Sequence, residues 1–392
     1  MDENCFYSKN LYNFAMYTIR QEYIKTKKYI QYNDIDKMLH HTHAYKQLKS
    51  QPSQQTLRAL SYVWKSFFAS IKDYSKHPNK YLGRPQLPKY KSKNGRYIWF
   101  IKNNTCYIKD SVLHFQVKRL HGVTFKTKAK GRLLGVRFIP RGTCYVMEIV
   151  TEVDVPDIQD IYPTRIAGID LGINNFATIT NNIGIRPIII NGRSVKSMNQ
   201  FYNKRKSKIQ SDLKKRNNRN VSKKMCNLSM KRFNRVKTFM HTASKRIVCW
   251  CVANNIDTLI CGLNKKWKQE INIGKVNAQK FIYIPYNMFI KQLEYKCQDC
   301  GIRFLITEES YTSGTSFLDG ELPCKENYDK TRRKKRGLFQ AIGKLINADV
   351  NGSLQIIKKV VPDAFSYGVE GYDFNPVIIS ASDLSRSECK FI

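Results

Sequence analysis

Three short stretches place carboxylates where they could do chemistry. The first, Ile166-Ala167-Gly168-Ile169-Asp170-Leu171-Gly172, is an apolar strand carrying a single acid; a turn and a second strand, Phe176 to Thr180, follow. A carboxylate buried in such a strand is costly unless it is paired or binds a metal; the alternative is a solvated acid at a strand end. The second stretch runs from Phe304-Leu305-Ile306-Thr307 into Glu308-Glu309 and then a hydroxyl-rich turn, Ser310-Tyr311-Thr312-Ser313. The third is Asn347-Ala348-Asp349-Val350-Asn351, with Asp349 near the start of a helix whose apolar face is Val350, Leu354, Ile357 and Val361. Taken alone, Asp349 could be no more than a favourable charge at a helix N-terminus. Taken together, acids on an early strand, a late strand and a final helix can converge at one end of a sheet. Phosphodiester hydrolysis by two metal ions about 3.5–4 Å apart needs such a set. All-oxygen ligands suit Mg²⁺, with Mn²⁺ a possible substitute.

The elements that must position these acids follow from patterning. Residues 1–95 are expected to form a helical part and a basic loop. Leu57, Leu60, Trp64, Phe67, Phe68 and Ile71 recur at helical spacing after Pro52-Ser53, as core packing requires. Two prolines among Arg84, Lys89, Lys91 and Lys93 predict an extended basic loop. Residues 96–160 read as six short strands, Ile98–Ile101, Cys106–Ile108, Leu113–Val117, Val123–Thr127, Leu134–Ile139 and Tyr145–Val150, whose spacing fits a small β-barrel. Val155-Pro156-Asp157 marks a junction, and residues 161–370 read as an α/β domain, with a tail over 371–392.

Within that domain, residues 203–237 hold fourteen Lys and Arg against one acid, Asp212. Two basic helices joined by Asn217-Asn218-Arg219-Asn220 would present Lys204, Arg205, Lys206, Lys208, Lys214, Lys215, Arg216, Arg219, Lys223, Lys224, Lys231, Arg232 and Arg235. A charge run is usually a solvated face, but this imbalance predicts nucleic-acid contact. A second basic cluster spans Lys330 to Arg336. The whole chain agrees: 392 residues carry 68 Lys+Arg against 30 Asp+Glu, a net charge of +38. Self-repulsion of that size makes sense against a polyanion. The 42 % hydrophobic content excludes a disordered chain, and 23 Tyr with 20 Phe suit base stacking as well as a core. No apolar run of about 18 residues predicts a membrane span. The acidic start Met1-Asp2-Glu3-Asn4 shows no secretory leader, so the eleven cysteines are expected to be reduced thiols of a cytoplasmic protein, nucleoid-associated if prokaryotic. His40, His41 and His43 lack the spacing of a metal site and are expected at a surface, facing solvent or RNA.

In combination, Gly168-Ile169-Asp170-Leu171-Gly172, the Tyr311-Thr312-Ser313 turn and Asn347-Ala348-Asp349-Val350-Asn351 resemble the RuvC motifs of TnpB proteins. These are RNA-guided nucleases of bacterial insertion sequences, related to type V CRISPR effectors and to eukaryotic Fanzor proteins. Trp267-Lys268-Gln269-Glu270-Ile271-Asn272, Gly274-Lys275 and Pro285 belong to the same pattern, which covers about residues 85–362. The resemblance implies an α+β multidomain fold: a helical recognition part, a wedge-like β-barrel and a C-terminal RuvC domain of RNase H type. It implies a guide RNA from the element's end, a double-stranded DNA target and no membrane partner. Asp170 and Asp349 match two of the family's catalytic acids, and Trp267 and Lys268 join the nucleic-acid contacts.

Two departures stand out. The usual second acid ends the strand before a basic connector, but here that strand reads Leu259-Ile260-Cys261-Gly262-Leu263-Asn264, with Cys261 at the glutamate position. Either the protein is a nuclease-inactive RNA-guided repressor, or the acid has moved to the next strand as in Fanzor-like proteins. Glu309 lies three residues before Thr312 as in that pattern and is the expected ligand; Glu308 is a second candidate. The other departure is zinc. The family's Cys-x-x-Cys pairs after the Thr-Ser turn are missing, and the one such pair, Cys297 and Cys300, lies upstream. No zinc is expected, and Phe317-Leu318 could hold the loop by packing instead. The expected activity is RNA-guided, Mg²⁺-dependent DNA cleavage by Asp170, Glu309 and Asp349. A DNA-strand transferase is the remaining alternative, without a nucleophilic Tyr in a suitable context to support it.

Overall fold

The computed structural model describes residues 1–158, 162–217, 221–264, 283–335, 337–366, 368 and 371–384. The chain divides into two compact units, Met1–Asp154 and Val155–Ile392. No helix among the described residues is long and apolar enough to cross a membrane.

The first unit is built on two long helices, α1 (Asp2–Thr26) and α4 (Ser50–Lys76), with the short α2 (Tyr32–Leu39) and α3 (His43–Leu48) between them. Leu57, Leu60 and Trp64 are fully buried, and Tyr23, Tyr29, Phe67 and Phe68 pack their rings around the Trp64 indole. Residues three and four apart share one face of a helix, so this stripe is the core expected from the spacing. Six strands follow: β1 (Trp99–Lys102), β2 (Cys106–Lys109), β3 (Val112–Phe115), β4 (Thr124–Lys126), β5 (Arg132–Arg141) and β6 (Cys144–Glu152). They pair as two three-stranded sheets, β1-β5-β6 and β2-β3-β4, and not as one closed ring.

The basic loop lies along α1. Asn13 accepts from the Lys91 backbone N–H at 2.8 Å and donates to its carbonyl at 2.9 Å, while Arg20 and Lys9 donate to Pro88 and Lys93 carbonyls. Arg84, Lys89 and Lys93 are exposed; Lys91 turns inward, its ammonium 4.8 Å from the Tyr12 ring and 4.9 Å from Tyr97.

The second unit holds a six-stranded sheet. Its strands are β7 (Ile166–Leu171), β8 (Asn175–Asn181), β9 (Ile188–Asn191), β10 (Thr258–Gly262), β11 (Arg303–Thr307) and β14 (Val377–Ile379). The order is β11-β10-β7-β8-β9-β14: β7, β8 and β9 form an antiparallel meander, and β10 and β11 add in parallel beside β7. Between β9 and β10 run the helices α5 (Arg193–Asn217) and α6 (Lys223–Ala253), and α7 (Tyr286–Asp299) precedes β11. A hairpin of β12 (Leu338–Ala341) and β13 (Lys344–Asn347) leads into α8 (Ala348–Val360); α9 (Ala381–Leu384) follows β14.

Strand alternation sends Ala167, Ile169 and Leu171 into a large cluster with α6 and α7, and sends Ile166 with Ile260 of β10 against Ile356 and Ile357 of α8. Gly168 lets α8 touch the sheet. A Cβ there would meet the Ser353 carbonyl at 2.6 Å and Ile357 at 2.7 Å, and the Ser353 hydroxyl donates to the Gly168 carbonyl. Asp170 therefore faces the α8 side.

Candidate active site and nucleic-acid surface

Each acid is positioned by uncharged neighbours. Asp170 lies near the C-terminal end of β7, against α8 at Gly352, where a Cβ would stand 3.0 Å from its Oδ2. Beyond it, the Tyr286 hydroxyl donates to the Gly172 carbonyl at 2.7 Å and holds the turn. Asp349 sits in the first turn of α8, but Asn347 makes the cap, its Oδ1 accepting from the Asp349 and Val350 N–H groups. The Asp349 carboxylate is thus free of capping duty. It accepts from Asn175 Nδ2 at 2.6 Å and lies 3.9 Å from the Arg333 guanidinium.

Glu309 follows β11. Its N–H donates to Asn264 Oδ1 at 2.9 Å, and its carbonyl accepts the Thr312 N–H and hydroxyl, closing a tight turn in which Tyr311 takes φ 71°. The Glu309 side chain lies over Gly262. A Cβ at that glycine would meet Glu309 Cγ at 2.6 Å and Oε1 at 2.8 Å. That Oε1 is buried and has no hydrogen-bond partner among the described residues. Glu308, one residue earlier, is exposed.

Electrostatics ties the three together. Burial first, then the Glu309 and Asp349 charges, push Asp170 well above the usual carboxylate range; Arg333 partly opposes this. Burial pushes Glu309 up to about 7, with Lys359 pulling the other way. Lys359 also donates to the Ser310 carbonyl at 2.9 Å. Among the described residues no three His, Cys, Asp or Glu side chains are gathered as a ready-made metal cage. The acids feel one another, but Asn175 and Arg333 engage Asp349.

One expectation is corrected by strand parity. Cys261 pairs with Ile169 and is buried in the α6–α7 cluster, on the face opposite Ile260. The β10 residue on the acids' side is Gly262, and the space of its missing side chain is taken by Glu309 together with Ile356 of α8.

The loop from Thr312 is closed without cysteines. Asn351 accepts from the Phe317 N–H and donates to the Thr315 carbonyl. Phe317 is buried among Phe339, Ile346, Val350 and Leu354. Arg332 bridges Asp319 at 3.4 Å and Glu321 at 2.7 Å. Nine described cysteines, including Cys297, Cys300 and Cys324, are free thiols.

Most of the expected nucleic-acid residues of the second unit are exposed on α5 and α6: Lys204, Arg205, Lys208, Lys214, Lys215, Arg216, Lys223, Lys224, Lys231 and Arg235. Lys206 and Arg232 are partly buried. Arg219, Trp267 and Lys268 lie outside the described residues. Sequence reasoning missed Gly262, Gly352, Asn175 and Lys359, which carry no motif, and saw Arg333 only as part of a basic cluster.

The profile of the OrfB_IS605 family, described as a probable transposase, matches residues 148–268, and that of the Cas12f1-like TNB domain matches residues 286–356. Two segments of the chain are thus similar to the OrfB_IS605 transposases and to the Cas12f1-like TNB domain. Among solved structures, one described as a Cas12f1-sgRNA-target DNA complex is similar at 16 % identity and TM-score 0.39, covering 89 % of this chain and 91 % of that one. A CRISPR-Cas12f ternary complex is similar at 14 % identity and TM-score 0.39, over 90 % of this chain and 80 % of that one. No curated protein matches.

Proposed function

We propose that this protein is an RNA-guided DNA endonuclease of transposon origin, with a RuvC-type nuclease domain. The sheet order, a three-stranded meander extended by two parallel strands with a helix across the acids' face, supports an RNase H-like reading of the second unit. On this reading the two small sheets of the first unit would serve as the wedge-like part.

The observation that carries the proposal is the buried Oε1 of Glu309, without a hydrogen-bond partner among the described residues, held over Gly262 and near enough to Asp170 for its charge to raise the Asp170 proton affinity. A buried carboxylate oxygen without a donor is what a cation site leaves when its cation is not counted. Asp170, Glu309 and Asp349 would hold two Mg²⁺ ions, and the donor set, all carboxylate oxygen, fits them. When bound, the metals supply water activation and stabilisation of the leaving oxygen. The chain's own residues do the rest. Thr312 and Asn264 fix the backbone of Glu309, Asn175 orients Asp349, and Arg333 places a positive charge beside the acids where a phosphate would arrive. The exposed cations of α5 and α6 would grip phosphates, leaving sequence choice to the guide RNA.

The test is cleavage of a target-bearing plasmid library by the protein purified with the RNA encoded beside its gene. Cutting that needs both RNA and Mg²⁺ is expected. The alternative, a nuclease-inactive repressor, predicts tight RNA-guided binding with no cutting.

A further inference from the structure

Between α5 and α6 lies a groove of about 900 Å³, outside the cluster of acids. Six cations line it, Arg205, Lys223, Lys224, Lys231, Arg232 and Arg235, with no carboxylate among the described lining residues. Its apolar part includes two adjacent rings: Phe201, 53 % exposed, and Tyr202, 8 % exposed. Rings and cations are interleaved. The Arg205 guanidinium lies 5.5 Å from the Phe201 ring, and that of Arg232 lies 5.1 Å from Tyr202 and 5.0 Å from Tyr283. Arg232 is held in place, donating from Nε to Asn199 Oδ1 at 2.7 Å and from Nη2 to the Tyr283 carbonyl at 2.8 Å.

The lining restricts the occupant. A free phosphate would not need the rings, and an apolar peptide would not need the cations. A duplex keeps its bases stacked inside and offers none to Phe201. An unpaired nucleotide supplies both a π-face and a phosphate, the combination that single-strand binders meet with aromatic platforms in a basic groove. The volume lies within the range of about 300–1,000 Å³ usual for small-ligand sites. We infer that the groove between α5 and α6 is a subsite for an unpaired nucleotide of a single strand, with its base on Phe201 and its phosphates against Arg205, Lys231 and Arg235. The inference rests on the nuclease reading for the presence of a nucleic acid, but not on catalysis.

The test uses the full chain without metal or guide, titrated with fluorescent single strands of about twelve nucleotides, as RNA and as DNA, intact or abasic. Phe201→Ala is expected to weaken binding of an intact strand about five- to a hundredfold, the worth of one base stacked on one ring. It should leave abasic strands unchanged, and Phe201→Trp should restore the loss. Lys215→Ala, outside the groove, should weaken intact and abasic strands alike. Phe201 is exposed, so the variant should fold, and a thermal melt checks this. A loss with RNA, with DNA or with both supports the subsite and names the strand that fills it. An equal loss for intact and abasic strands, or no loss with either nucleic acid, overturns it. Photo-crosslinking of a 5-iodouridine strand to the peptide holding Phe201 and Tyr202 is the second readout; crosslinks only elsewhere also overturn it. Because cleavage is not read, an inactive nuclease would leave this result standing.

Discussion

Glu309 owes its place to two residues without charge, Gly262 beneath it and Thr312 after it. Gly262→Ala would put a methyl group 2.6 Å from Glu309 Cγ and 2.5 Å from Ile356 Cδ1, the end of a flexible side chain. It is expected to lower Mg²⁺-dependent cleavage about a hundredfold, the scale of losses when a ligand's support is removed, with the fold retained. Cys261→Ala should cost about 1 kcal/mol of stability and leave cleavage nearly intact, because its thiol packs on the other face. Cleavage assays on both variants check this pair; the opposite ranking would return Cys261 to the site. Glu309 also sets a pH dependence. Its proton is held more tightly in the folded chain, since burial raises it from 4.5 to about 7. Its contribution to metal-free stability is therefore full below about pH 4.5 and lost as the pH rises through about 7, on the order of 3 kcal/mol. Glu309→Gln should stabilise the metal-free protein at pH 8 and not at pH 4, as urea unfolding at the two pH values would show. Equal effects at both would contradict the assignment. Asp170 was legible because a lone acid in an apolar strand is conspicuous. The parity of β10 was not, because Cys261 and Gly262 are both small, and only the pairing of Ile260 with Gly168 fixes which one faces the acids.

At the scale of elements, α8 does several jobs with one motif. Asn347 caps it, Asp349 is its proposed metal ligand, and Asn351 holds the Thr-Ser loop. The sequence showed an amphipathic helix with an acid near its start, but the division of labour among three polar residues needed the contacts. The six strands of the first unit, and β7, β8, β10 and β11 of the second, were legible from alternation and turn residues, whereas β9, β12, β13 and β14 were not. The pairing of the first unit into two sheets was not, since strand spacing does not encode partners. The loop lacking Cys-x-x-Cys pairs was legible as a gap in a pattern. Its closure by Arg332, Asp319 and Glu321 was not, because ion pairs across a loop leave no period in a sequence. Asp319 keeps only 9 % of its side-chain exposure, so removing its partner leaves a carboxylate poorly solvated. Arg332→Ala should cost about 1–3 kcal/mol in denaturant unfolding. An unchanged midpoint would mean that the Phe317 packing alone closes the loop.

For the whole molecule, a net charge of +38 favours a polyanionic partner, and with it a dependence of binding on salt. If six to ten phosphates are neutralised, affinity for RNA should fall about 10³- to 10⁵-fold between 50 and 200 mM salt. Anisotropy titrations at several salt concentrations read this slope, and a flat response would sink the polyanion reading. Charge was the most legible property of the chain, and it pointed to nucleic acid without revealing the groove between α5 and α6, which exists only once the two helices pair. The central claim is that Asp170, Glu309 and Asp349 form one metal-dependent nuclease site. It is tested most directly by the rate of guided plasmid cleavage in Mg²⁺ for the wild type, Glu309→Ala and Glu308→Ala, with RNA binding measured alongside. The account predicts cleavage by the wild type and by Glu308→Ala, and its loss in Glu309→Ala with RNA binding intact. Full cleavage by Glu309→Ala, or none by the wild type under any divalent metal, would contradict it.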